Sequence, residues 1–181
     1  MMITAQAIGI LAMMANILSF QFKRKRNIIF AQLIGSALFA ANMLLLGAMM
    51  GCILNILGII RGIVYINKDK LRVPIQAVNI LFILFYVLSY VLVFTVLGKA
   101  HTVLNLVVEI LPIIGMSAMT LGLAGRNART IRIVCFINSP CWLIYNLICF
   151  SIGGILCEIF SIISAISAYL RLDLKHKNIE G

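Results

Sequence analysis

Apolar residues in this chain come in long unbroken runs, with neither the period-two alternation of strands nor the half-polar stripes of surface helices. Seven runs are separated by short polar or glycine-marked breaks. They predict helices over about Ile3–Gln21, Ile28–Leu46, Ala48–Ile66, Pro74–Leu97, Thr102–Leu123, Ile131–Phe150 and Ile152–Leu170. Each approaches the roughly 20 residues that a bilayer core demands. Two breaks are tight, at Gly47 to Gly51 and at Ser151-Ile-Gly-Gly154, where glycine permits an abrupt reversal. The pattern predicts an all-α integral membrane protein with seven transmembrane helices.

Composition agrees. Of the 181 residues 63% are hydrophobic and 11% charged, against about 25% charged in soluble domains. The net charge of +10 would suggest nucleic acid in a soluble protein. Here the basic residues sit between apolar runs, so topology accounts for them and no nucleic-acid partner is expected. Lys23 to Arg26 follow the first run, Lys68, Lys70 and Arg72 the third, Arg126 and Arg129 the fifth, and Arg171, Lys175 and Lys177 the seventh. The opposite side carries only Lys99. The positive-inside rule then places the N-terminus outside and the C-terminus in the cytoplasm. No cleavable signal peptide is expected, because no basic residue precedes the run that starts at Ile3.

Shifting the first three runs by 103 positions lays them on the last three. Gly51, Asn55, Gly58 and Gly62 then meet Gly154, Glu158, Ser161 and Ala165, two stripes of small or polar residues with one spacing. Gln6 meets Glu109, Ser36 meets Ser139, and Lys23 and Arg26 meet Arg126 and Arg129. Four helices separate equivalents, so the repeats run parallel in a 3+1+3 plan. This divides the chain into a three-helix bundle over 1–66, a linker helix within 67–101, a second bundle over 102–171 and a cytoplasmic tail over 172–181. Parallel repeats occur in transporters, with the solute site between them near mid-depth.

The candidate chemistry lies in that layer. Glu109 sits inside an apolar run with Pro112 three residues on, and proline leaves the carbonyl of Val108 without its helical donor. A charge near the middle of a membrane helix costs about 2.5 kcal/mol or more, so one that is present faces a cavity or a partner. Glu109 and Glu158 each lie about six residues, roughly 9 Å, inside the outer boundary. Asn55 lies at a similar depth, and Asn42, Trp142, Tyr145 and Asn146 reach the same level from helices running the other way. These seven are the expected substrate-binding residues, with Pro112 and Pro140 as hinges. Arg61, about five residues from its helix end, is expected to snorkel to the surface. Cys52, Cys135, Cys141, Cys149 and Cys157 lack metal-ligand spacing and are expected to be unpaired packing residues. No metal, cofactor or enzyme motif is expected.

The segments Glu109-Ile-Leu-Pro-Ile-Ile-Gly115, Cys141-Trp-Leu-Ile-Tyr-Asn146 and Ser151-Ile-Gly-Gly-Ile-Leu-Cys-Glu158 resemble the YgjV family of bacterial inner-membrane proteins, and the likeness covers essentially the whole chain. The resemblance implies the SWEET, PQ-loop and PnuC-like plan, whose members carry sugars, amino acids or vitamin precursors. It implies Glu109, Pro112, Trp142, Asn146 and Glu158 as pathway residues. The chain lacks the Pro-Gln pair of PQ-loop proteins and the Trp-x-x-x-Trp pattern of PnuC carriers, which argues against sugar or vitamin transport. The expected function is a multi-pass inner-membrane transporter, a facilitator or ion-coupled carrier, for a small polar solute, cationic ones included, moved by alternating access, with a homo-oligomer as an option. The competing expectation is a receptor or assembly protein of the same fold, with its carboxylates sealed against partner groups.

Overall fold

A computed structural model describes residues 2–19, 25–67, 73–124 and 128–170. The basic clusters at 23–24, 68–72 and 126, and the tail over 172–181, lie outside the described residues. Seven helices and no strand are present among the described residues: α1 Met2–Ser19, α2 Lys25–Leu45, α3 Met49–Ile66, α4 Ile75–Thr95, α5 Val103–Ala124, α6 Ala128–Ile148 and α7 Ile152–Ala168. The predicted helices coincide with these to within three residues at every end. Helices α3, α4 and α5 are long and apolar enough to cross a membrane, and the apolar parts of the other four are shorter.

Local chemistry sets the helix ends. Pro74 stands at the N-cap of α4 with extended backbone. The Ser151 hydroxyl accepts from the Gly154 amide at 3.3 Å and caps α7, while Thr102 does the same for Asn105 at 3.2 Å before α5. The α2–α3 and α6–α7 reversals share one hydrogen-bond pattern. In the first, Leu46, Gly47, Ala48 and Cys52 amides donate to Asn42, Leu44, Met43 and Ala48 carbonyls at 2.9–3.1 Å. In the second, Cys149, Phe150, Ser151 and Ile155 amides donate to Tyr145, Leu147, Asn146 and Ser151 carbonyls at 2.9–3.3 Å. Gly47 and Phe150 hold left-handed backbone at φ 73 and 56. Glycine accepts that region freely, whereas phenylalanine is strained there.

Six helices close into a ring, α1 against α2, α2 against α3, α3 against α5, α5 against α6, α6 against α7 and α7 against α1. Helix α4 lies outside the ring and bridges α3 and α5. Its outer face, with Ile80, Leu84, Val87, Leu88 and Val91, is exposed and apolar, and Leu121 on α5 and Phe160 and Ile163 on α7 are likewise exposed. Such an exterior is stable against lipid and not against water. Inside, Met43, Met50, Leu54, Tyr86 and Tyr145 are fully buried. All five cysteines are free, as expected.

Candidate functional site

A cavity of about 190 Å³ occupies the middle of the ring. Every ring helix contributes to it and α4 does not: Asn16 from α1; Ser36, Phe39 and Met43 from α2; Leu54, Asn55, Gly58 and Arg61 from α3; Met116 and Met119 from α5; Asn138, Trp142 and Asn146 from α6; Gly154, Cys157 and Glu158 from α7. Polar side chains share the lining with methionine, leucine and aromatic rings. The side chain of Ser139 hydrogen-bonds the Glu158 carboxylate. Asn55 is oriented by its own helix, donating to the Gly51 carbonyl at 2.8 Å. Asn146 is 2% exposed and its Oδ1 has no hydrogen-bond partner. Trp142 packs edge-on against Tyr145.

The expected single polar layer divides in two. Glu158, Asn55, Trp142 and Asn146 line the cavity; Glu109, Asn42 and Tyr145 do not. The latter three are fully buried toward the end of the ring that carries the α2–α3 and α6–α7 reversals. Asn42 donates to the Ala5 carbonyl at 2.7 Å and accepts from the Ser151 hydroxyl at 2.7 Å, tying α1, α2 and α7 together. The Tyr145 hydroxyl accepts from the Gly51 amide at 2.9 Å, joining α6 to the first turn of α3. Glu109 ion-pairs with Lys99 from the α4–α5 connection. The lysine can reach inward because its stem is apolar and only its head carries charge. Pro112 is buried within α5, whereas Pro140 in α6 is only partly covered.

Arg61 departs most from expectation. Instead of snorkelling it is 9% exposed, and its Nη1 donates to the Met116 carbonyl at 3.1 Å, Thr120 Oγ1 at 3.0 Å and Tyr86 Oη at 3.4 Å. Those partners, on α5 and α4, are neutral acceptors that orient the guanidinium without neutralising it. Its Nε is buried without a partner.

The chain matches the model of the Imp-YgjV family, described as a bacterial inner membrane protein, over residues 3–176. It belongs to that family. No curated protein and no solved structure matches it. The family description and the apolar exterior together make this Imp-YgjV chain a bacterial inner-membrane protein.

Sequence reasoning did not select Arg61, Asn16, Ser36 or Asn138 for the Imp-YgjV cavity. A signal for Arg61 was present, since it stands three residues beyond Gly58 and six beyond Asn55, near the face of the small-residue stripe. A helix-end arginine that snorkels and one that turns inward share the same sequence, so only the polar groups of α4 and α5 decide between them.

Proposed function

We propose that this protein is a carrier for a small polar solute, bound in the six-helix cavity and passed across the membrane by rocking of two three-helix bundles. The observation that carries this reading is a cavity inside a membrane protein lined by Glu158, Arg61 and four asparagines. Polar groups at that depth are costly unless they meet a ligand or each other. At about 190 Å³ the cavity is smaller than the roughly 300–1,000 Å³ of drug-sized sites, which suits a small metabolite.

The parallel 3+1+3 plan supports the reading. Five pairs of lining positions stand 103 residues apart: Asn16 and Met119, Phe39 and Trp142, Met43 and Asn146, Leu54 and Cys157, Asn55 and Glu158. The four hydrogen bonds of one reversal map on the four of the other by the same shift. All seven helices then span the bilayer, the termini fall on opposite sides with the N-terminus outside, and the plan is that of SWEET, PQ-loop and PnuC-like carriers. Glu158 and Asn55 bind the solute, with Trp142 and Asn146 beside them. Glu109, Tyr145 and Asn42 close the outer end of the cavity. No bond in the solute is made or broken.

A thermal-stability screen of the detergent-purified protein against a metabolite library tests this directly, since a ligand of the folded state raises its stability. At least one small polar metabolite should raise the melting temperature of the wild type and fail to do so with Glu158→Gln. Stabilisation that is equal in the variant would remove Glu158 from the site.

A further inference from the structure

Four charged side chains among the described residues are drawn away from the surface: Arg61 and Glu109 are buried, Lys99 and Glu158 partly so. Two of them neutralise each other, because Lys99 and Glu109 form an ion pair away from the cavity. Arg61 and Glu158 form no ion pair among the described residues, and both line the cavity. A charge held largely away from water without a counter-ion is expensive. A cationic solute would neutralise Glu158 and leave Arg61 bare, and an anionic solute would do the reverse.

We infer that the cavity takes a zwitterion, its ammonium at Glu158 and its carboxylate at Arg61. This rests on the carrier reading and adds the substrate class to it. Two unpartnered atoms carry the assignment. The first is Arg61 Nε, on a side chain 9% exposed whose Nη1 is already fixed by Met116, Thr120 and Tyr86. Fixing one nitrogen orients the guanidinium, and Nε lies on an edge of the fork that pairs with carboxylates. The second is Asn146 Oδ1, an acceptor on a side chain 2% exposed, which suits an ammonium proton beside Glu158. Donor and acceptor are thus both left unpartnered on residues that line one cavity, and a solute with a carboxylate and an ammonium completes both. The methionine and aromatic walls between them accept the aliphatic body of such a solute.

The test is a matched series on the purified full-length protein, read as dissociation constants from thermal shifts. The probes are glycine, alanine and ω-amino acids of increasing chain length, each beside its amide, which lacks the carboxylate, and its hydroxy acid, which lacks the ammonium. One or more zwitterions should bind, and loss of either charge should weaken binding about tenfold or more. Arg61→Gln should weaken the zwitterion by a similar factor and leave its amide unchanged, while Glu158→Gln should do the same with the hydroxy acid as the insensitive probe. The series on the unmodified protein needs no variant to fold. Amides that bind as tightly as their zwitterions would overturn the inference, and so would no shift from any probe. In the first case binding that still depends on Glu158 leaves the carrier reading standing. In the second, solvent reactivity of Cys157 judges that reading independently.

Discussion

The ring closes at two seams, α1 against α7 and α3 against α5, and they are built differently. At α1–α7 the backbones touch: a Cβ placed on Gly153 would fall on the carbonyl group of Gly9. The positions 103 residues away are Met50 and Pro112, so the other seam has side-chain bulk where this one has none. At α1–α7, Gln6 bonds the reversal itself, donating to the Phe150 carbonyl and accepting from the Ile152 amide at 3.0 Å. Its counterpart Glu109 turns away to Lys99 and keeps one oxygen unpartnered. The α3–α5 seam relies on Arg61 reaching the Met116 carbonyl and Thr120, with Tyr86 of α4 behind them. A seam of touching backbone resists change because backbone atoms cannot move aside as side chains do. A seam held by polar side chains can trade partners, and Arg61, which holds this one, lines the cavity. In the carrier proposed above, α1–α7 is the fixed edge and α3–α5 the one that moves.

The widest separation between the seams should come from Gly153→Leu. With backbone as the obstacle, overpacking should exceed the roughly 1–3 kcal/mol seen where side chains can shift, and the folded bundle should be lost. At the other seam Gly58→Ala would meet only the end of Met116 at 3.4 Å, and its melting temperature should stay near wild type. Equal effects in size-exclusion profiles and melts would erase the contrast.

Next in size is Lys99→Met, which strands the fully buried Glu109 and should cost about 3–5 kcal/mol. Adding Glu109→Gln should recover most of that loss, because the charge left unpaired is gone. A double-mutant cycle that shows no coupling would mean the pair does not hold the closed end.

Arg61→Met should cost less than about 2 kcal/mol, small for a buried charge. Its partners still satisfy one another: Thr120 donates to the Met116 carbonyl at 2.7 Å and bonds Tyr86 at 3.1 Å. Collapse of the melting temperature would make Arg61 a structural strut instead of an exchangeable contact. The smallest effect belongs to the two reversals. Phe150→Gly should stabilise by about 1 kcal/mol by removing left-handed strain, and Gly47→Ala should destabilise by about as much. Opposite signs in paired melts are the expected result.

Much of this architecture could be read from the chain. The helices were legible because each apolar run ends at lysine, arginine, proline or glycine, and the reversals because Gly47 and Ser151 announce them. Glu158, Asn55, Trp142 and Asn146, which helical rise puts at one level, do line one cavity. Helical rise gives level only coarsely and does not fix direction around a helix axis, however, and Glu109, Asn42 and Tyr145, which lie nearer the reversals, take neighbours that sequence does not name. Lys99 reaches Glu109 only because the α4–α5 connection folds inward, and Arg61 turns inward only because Thr120 and Tyr86 wait there. The side on which α4 packs, against α3 and α5, is a packing outcome with no mark in its largely apolar sequence.

The central claim is that the ring encloses a solute pathway, and Cys157, which lines the cavity beside Glu158, reports on it directly. In a variant retaining Cys157 as its sole cysteine, a membrane-impermeant thiol reagent should be applied to right-side-out and inside-out vesicles. A carrier predicts reaction from both faces, each slowed by a solute that occupies the cavity. A thiol that reacts from neither face in the folded protein would mean a sealed interior, and would contradict the pathway.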